Sequence, residues 1–306
     1  MDEDALSAAL AARFAGHRRL TLGVGDDAAV WSADEPQAIT QDLLVDGVHF
    51  LWRASDAEEI GRRALAVNLS DLAAMGARPR LVSVAVGLPA GLGGEAVLGL
   101  YDGMTPLLEE FDIAVSGGDV TRADRLIVSV TAIGEAPRFV GRGGGRPGDV
   151  LCVTGDLGGA AAGLRSVRGD GPEDDGAEAR FRRPAARVRE GIALREAGAT
   201  AMIDLSDGLG ADLPRLSRAS GTGFELRAAA LPLGPGASWR DALEGGDDYE
   251  LLVALPPGRV GAAAAAVAPT PLTAVGSLGA PGREVFLDPG DRPLARGDVR
   301  GHDHLR

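Results

Sequence analysis

Along the first half of the chain, apolar positions alternate between helical spacing and the continuous or two-residue spacing of strands. The pattern predicts a helix over residues 5–14 and a strand over 38–45 that runs into Asp46-Gly47. Ser55 and Glu58 have capping-box spacing, so a helix is expected to open there and continue to about residue 75. An apolar run over 81–88, closed by Pro89, reads as a buried strand, and 95–110 reads as a helix. A short strand over 113–115 is expected to end at Ser116-Gly117-Gly118, and another covers 126–133.

The glycine-rich stretch 141–148 interrupts all periodicity, so a boundary placed there gives domains of 1–140 and 141–306. The second half predicts strands over 149–154, 201–203 and 249–255, with others near 224–226, 272–275 and 284–287. Helices are expected over about 185–197 and after Ser206, and the polar stretch 168–178 reads as a solvated loop. Each half therefore reads as an α/β domain, and 306 residues are enough for two buried cores.

Composition narrows the function. The chain is 45% hydrophobic and 25% charged, in the ordinary globular range, and its longest uncharged apolar stretch, 260–269, is mostly alanine and too short for a membrane helix. The acidic start, Met1-Asp2-Glu3-Asp4, lacks a secretory pattern, so a cytoplasmic protein without a membrane partner is expected. The single cysteine, Cys152, lies among Val150, Leu151 and Val153 and reads as strand packing. A formal charge of −13 argues against a nucleic-acid partner. It is compatible with nucleotides when divalent cations lie between carboxylates and phosphates. The sequence contains no lysine, which excludes a P-loop and leaves metals, arginines and backbone amides for any phosphoryl chemistry.

Aspartates recur where apolar segments end: Asp26, Asp27, Asp42, Asp46, Asp71, Asp119, Asp204, Asp207, Asp247 and Asp248. Each alone fits turn or cap chemistry. Asp71, however, sits in a helical pattern between Leu69 and Leu72, where a carboxylate needs a cation, and without lysine that cation is arginine or a metal. Oxygen ligands without clustered His or Cys select Mg²⁺. Gly23-Val24-Gly25 and Gly117-Gly118 suit either phosphate approach or plain turns. Residues 141–148 read as a hinge or, through Arg142 and Arg146, as a nucleotide-phosphate contact. His17 reads as a surface residue, His49 is a ligand candidate, and His302 and His304 are ambiguous.

Six segments together resemble the thiamine-monophosphate kinase family of the aminoimidazole ribonucleotide synthetase-like (PurM-like) ATP-binding superfamily. They are Gly23–Ala29 (GVGDDAA), Asp42–Phe50 (DLLVDGVHF), Ala64–Ala77 (ALAVNLSDLAAMGA), Gly117-Gly118-Asp119, Ile203–Leu209 (IDLSDGL) and Gly245–Leu251 (GGDDYEL). The resemblance implies a two-domain α/β fold that dimerises through an N-terminal mixed sheet, followed by a C-terminal α/β domain. It implies phosphorylation of thiamine monophosphate by ATP with several Mg²⁺ ions. By position, Asp27, Thr40, Gln41, Asp42, Asp71, Asp119, Asp204 and Asp207 stand at metal-binding positions, of which Asp71, Asp119 and Asp207 are expected to be catalytic. Gly118, Asp119, Arg142 and Ser206 match ATP contacts, and His49, Asp247 and His302 match substrate positions. Three residues depart from the family pattern: Gln41 replaces a Ser or Thr, Asp247 is shorter than the usual Glu, and His302 stands where an aromatic is usual. The alternatives are another ATP-using member of the superfamily and a non-catalytic nucleotide- or metal-binding protein.

Overall fold

In the computed structural model, which describes residues 3–14, 17–21, 31–52 and 55–301, the chain divides into two compact units. The first comprises Met1–Leu72 and Arg78–Pro137, and the second Ala73–Ala77 and Arg138–Arg306.

After helix α1 (Glu3–Phe14), the first unit alternates β1 (Gln37–Val45), α2 (Ala57–Ala74), β2 (Arg78–Leu88), α3 (Gly94–Phe111), β3 (Ala114–Arg122) and β4 (Ile127–Glu135). The strands form one mixed sheet in the order β1-β4-β2-β3, with β2 and β3 parallel and the other pairs antiparallel. Alternation along the strands sends Leu44, Val128, Val130, Val82 and Val84 to a buried face. It leaves Ile39 and Leu43 70% and 54% exposed on the other. α2 and α3 approach closely because each places a glycine at the contact. A Cβ on Gly61 would lie 1.9 Å from the Leu100 carbonyl oxygen, and one on Gly103 would lie 1.8 Å from that of Glu58.

Two local expectations need correction here. The cap of α2 is Asp56, not Ser55: its Oδ1 accepts the Glu59 N–H at 2.8 Å, one residue later than the sequence spacing implied. β3 does not end at its glycines but continues to Arg122. Ser116 is accommodated as a bulge opposite Val82 and Ser83, and its hydroxyl donates to the Val82 carbonyl at 3.0 Å. Gly118 then lets the strand lie close to β2, since a Cβ there would be 2.0 Å from the Val84 carbonyl oxygen.

The second unit contains β5 (Val150–Thr154), α4 (Gly159–Arg168), α5 (Asp175–Arg182), α6 (Val188–Ala197), β6 (Ala201–Asp204), α7 (Leu209–Ser220), β7 (Gly223–Arg227), α8 (Trp239–Glu244), β8 (Leu251–Leu255), α9 (Val260–Ala266), β9 (Leu272–Gly279) and β10 (Glu284–Leu287). Its six-stranded sheet runs β10-β7-β9-β5-β8-β6, and its core includes Leu151, Leu213, Leu216, Phe224 and Leu252. Cys152 is buried in β5, where desolvation pushes its thiol up to about 11, in keeping with a packing role.

The polar stretch 168–178 is only partly a loop. Asp174 caps α5 by accepting the Ala177 N–H at 2.9 Å, and the helix buries Ala177 and Phe181. The sequence pattern did not anticipate α4, α8 or α9. The glycine run is seated against the unit, with a Gly144 Cβ position 2.0 Å from the Thr200 carbonyl oxygen and the Gly145 N–H donating to Ser220 Oγ at 3.0 Å. Among the described residues, no helix is long and apolar enough to cross a membrane.

Candidate active site

β1 carries Thr40 and Asp42 on the buried side of the first sheet, and α2 presents Asp71 to them. The Thr40 hydroxyl donates to Asp71 Oδ2. The Asp42 N–H donates to Asn68 Oδ1 at 3.0 Å, and the fully buried Asn68 amide donates back to the Ala64 carbonyl at 2.9 Å. Asn68 thus ties the open edge of β1 to α2. Withdrawal from water, followed by the nearby Asp71 charge, pushes the Asp42 carboxyl up to about 6. Two carboxylates that repel each other this way form a cation-ready pair.

Among the described residues, no three acidic, histidine or cysteine side chains form a ready-made metal cage. Mg²⁺ binding does not require such a cage, because the ion takes one or two carboxylates and completes its shell with water and substrate phosphates. The donors here, carboxylates and a hydroxyl, are all hard oxygens.

The other described candidates in this unit lie apart from that pair. Gln41 points to the opposite face, where its Nε2 donates to Ser129 Oγ at 3.0 Å. Gly118 and Asp119 lie on β3 at the far edge of the sheet, about 14 Å from β1 at ordinary strand spacing. Asp119, paired with Ala85, is exposed on the same outer face as Gln41. Beside Gly117, Gly118 and Asp119 opens a cavity of about 190 Å³ walled by Leu6, Leu10, Phe14 and Tyr101. His49 is half-buried after β1, and its Nδ1 accepts the Val45 N–H at 3.1 Å. Asp27, His302 and the Gly23-Val24-Gly25 segment lie outside the described residues.

In the second unit, the turn after β6 and the segment before β8 are joined by their backbones. Leu205 N–H donates to the Glu250 carbonyl at 2.8 Å, Tyr249 N–H to that of Leu205 at 2.9 Å, and Asp247 N–H to that of Ser206 at 2.8 Å. These bonds bring Asp204, Ser206, Asp207 and Asp247 into one neighbourhood. Asp247 and Tyr249 adopt left-handed backbone angles, φ 70° and 51°, and the Tyr249 hydroxyl donates to Asp247 Oδ1 at 3.1 Å. Arg142, by contrast, offers an exposed side chain at the start of the glycine run, while its carbonyl accepts the Ser220 hydroxyl at 2.7 Å.

Several supporting residues are given no role by the sequence, although Asp248 stands among its recurring aspartates. Asp248 Oδ2 accepts the Gly158 N–H at 2.7 Å, just before α4. Desolvation pushes its carboxyl up to about 8, against the pull of the Gly158 and Ala160 amides. Glu250, 1% exposed, receives Arg187 Nε at 2.6 Å and the Thr154 hydroxyl at 2.7 Å. Asp212 Oδ2 accepts the Asp207 N–H at 3.0 Å, and Arg215 bridges Asp207 and Asp212. Besides Asp248, only the i, i+3 spacing of Asp212 and Arg215 offered a sequence signal for any of these.

Known proteins resemble this chain over most of its length. Residues 25–136 match the AIR synthase related protein N-terminal domain, and residues 146–287 match its C-terminal domain. The thiamine-monophosphate kinase of Escherichia coli strain K12 is 38% identical over 304 residues, covering 93% of this chain and 92% of that protein. That of Bacillus subtilis strain 168 is 34% identical over 268 residues, covering 82% of each. The crystal structure of thiamine-monophosphate kinase from Stenotrophomonas maltophilia K279a superposes with a TM-score of 0.82 at 35% identity, covering 94% of this chain and 96% of that one. A structure of AaThiL complexed with AMPPCP and TMP gives a TM-score of 0.79 at 29% identity and covers 99% and 96%. The E. coli hydrogenase maturation protein HypE, at 20% identity and a TM-score of 0.78 over 95% and 94%, shares the fold alone.

Proposed function

The chain belongs to the thiamine-monophosphate kinase family of AIR synthase related proteins, and from that premise we propose that it transfers the γ-phosphoryl group of ATP to thiamine monophosphate. The observation that carries this reading is the pairing of the Asp42 and Asp71 carboxylates on one side of the first sheet, set there by Thr40 and Asn68. Thr40, Asp42 and Asp71 would hold Mg²⁺ in the first unit; Asp119 on the outer sheet face, and Asp204 and Asp207 in the second unit, are each assigned as further cation ligands on the family resemblance. When bound, Mg²⁺ supplies charge neutralisation between the two anionic reactants and alignment of their phosphates.

The protein's own part is positional. The Thr40 hydroxyl fixes the rotamer of Asp71, and Asn68 fixes the strand edge that carries Asp42. Gly117, with open space at its Cβ position, allows a phosphate to approach the backbone, and the largely apolar cavity beside it suits a nucleoside. On the family resemblance, Ser206 and Arg142 are each assigned to ATP, and His49 and Asp247 are each assigned to the thiamine phosphate. A phosphate monoester has a second pKa of about 6, so the acceptor needs no side-chain base at neutral pH.

We place the dimer interface on the outer face of the first sheet, where exposed Ile39 and Leu43 offer apolar area. That face also carries Gln41 and Asp119, so pairing of two copies would bring both to the subunit boundary. A cytoplasmic location completes the reading. The test incubates purified protein with ATP, Mg²⁺ and thiamine monophosphate and measures thiamine diphosphate and ADP. The expected result is equal yields of both, with Asp71→Asn folded but inactive. ATP consumption without thiamine diphosphate, or normal transfer by Asp71→Asn, would overturn the proposal.

A further inference from the structure

In the second unit, a single nitrogen of Arg215 serves two carboxylates. Nη1 lies 2.5 Å from Asp207 Oδ2 and 2.6 Å from Asp212 Oδ1. The two acids differ in setting: the Asp212 side chain is 1% exposed, that of Asp207 is 15% exposed, and the Arg215 side chain is 41% exposed. Asp212 also accepts the Asp207 backbone N–H at 3.0 Å, so it holds both the main chain of Asp207 and the cation that neutralises it.

We infer that Arg215 is a built-in counter-ion that keeps the Asp207 carboxylate oriented until a divalent cation arrives, and that Asp212 is the acid to which Arg215 then withdraws. The inference rests on the proposed role of Asp207 as a cation ligand. A divalent ion at Asp207 repels the guanidinium beside it. Because both contacts use the same nitrogen, Arg215 can give up Asp207 and keep Asp212 with a small movement. The buried Asp212 is then never left without its partner. Arg215 and Asp212 are thus positioning residues that act through Asp207.

The arrangement requires opposite effects from its two members. Removing Arg215 removes a competitor and leaves Asp207 more negative, which tightens cation binding. Neutralising Asp212 leaves Arg215 with Asp207 as its one full counter-charge and weakens the anchor on the Asp207 backbone, which loosens cation binding. A purely structural role for the cluster would make both changes loosen it.

The test is titration of the full-length protein with Mn²⁺, followed by electron paramagnetic resonance, alone and with a non-hydrolysable ATP analogue, with thermal unfolding recorded for each variant. Expected are tightening of roughly fivefold for Arg215→Ala, a similar loosening for Asp212→Asn, and near-wild-type binding for Arg215→Lys. Shifts in the same direction for Arg215→Ala and Asp212→Asn would overturn the inference while leaving Asp207 a ligand. If Asp212→Asn does not fold, unchanged or weaker binding by Arg215→Ala overturns it alone. Asp207→Asn should lose one Mn²⁺ site; if it loses none, the assignment of Asp207 itself fails and the inference with it.

Discussion

The Thr40 hydroxyl donates to an Asp71 carboxylate oxygen across 31 positions of sequence, joining the edge strand of the first sheet to its central helix. A hydrogen bond to a ligand carboxylate fixes which oxygen faces a bound ion, and loss of such support typically costs about 10- to 100-fold in activity or metal affinity. Thr40→Val keeps the volume and removes the donor. Turnover should fall by that factor while the melting temperature stays within about 2 °C, as read by steady-state kinetics and calorimetry. Wild-type turnover by this variant would show the contact to be idle.

The Asp42 carboxyl, pushed up to about 6 beside Asp71, makes stability depend on pH with a defined sign. Its folded pKa lies above the ordinary value of 3.8, so the native state binds more protons between the two. The contribution is therefore fully present below about pH 4 and lost as pH rises through about 6. Asp42→Asn lacks this dependence and should exceed wild type by about 1 kcal/mol above pH 6 in metal-free buffer, with the gap closing towards pH 4. The same variant should be inactive. Urea denaturation across this range checks the sign, and a gap that widens on acidification would contradict it.

Much of this arrangement was legible in the sequence, for physical reasons that differ by element. β2 and α3 were found because their apolar spacing reports burial directly. β3 was cut short at Ser116-Gly117-Gly118 because glycine marks both turns and close strand approach, and only the neighbouring Val84 carbonyl decides between them. α5 was hidden because its exposed surface is rich in Asp, Glu and Arg and just Ala177 and Phe181 report the core. Among site residues, Asp42 and Asp71 were recognisable from their segments and Thr40 from its position just before one of them, and the three are brought together in one unit. Asn68, Asp212 and Arg215 act through other residues, so nothing in their local sequence assigns them a role.

The crossing of α2 and α3 predicts a large effect from a small change. Gly61→Ala would place a methyl group 1.9 Å from the Leu100 carbonyl oxygen, a backbone atom that moves only if a whole helix moves. The gain in helix propensity, about 1 kcal/mol, is outweighed by overpacking of up to about 3 kcal/mol or by separation of the helices. Net destabilisation of about 2 kcal/mol is expected by urea denaturation. Because α2 carries Asp71, activity should fall as well. A stabilised variant would mean that the helices part without cost.

Beneath the strained segment at Asp247 and Tyr249, the buried Glu250 carboxylate takes Arg187 Nε at 2.6 Å and the Thr154 hydroxyl at 2.7 Å. Arg187 is itself mostly buried, with Glu190 as a second, longer contact at 3.3 Å. Removing one charge of such a pair strands the other in a poorly solvated place, which costs about 3 kcal/mol or more. Replacing both with apolar groups of similar size avoids that penalty. Glu250→Gln should therefore destabilise the protein by about 3 kcal/mol, whereas Glu250→Leu combined with Arg187→Met should recover most of it. Recovery of stability need not restore function. Asp247 and Tyr249 hold left-handed angles that persist only where the surroundings fix them; their own N–H groups bond to Ser206 and Leu205, and the neighbouring Glu250 carbonyl accepts the Leu205 N–H. The double variant should accordingly regain its melting temperature but keep a raised KM for the phosphorylated acceptor. A double variant as unstable as Glu250→Gln would show that the ion pair, and not merely its completeness, holds this corner of the second unit.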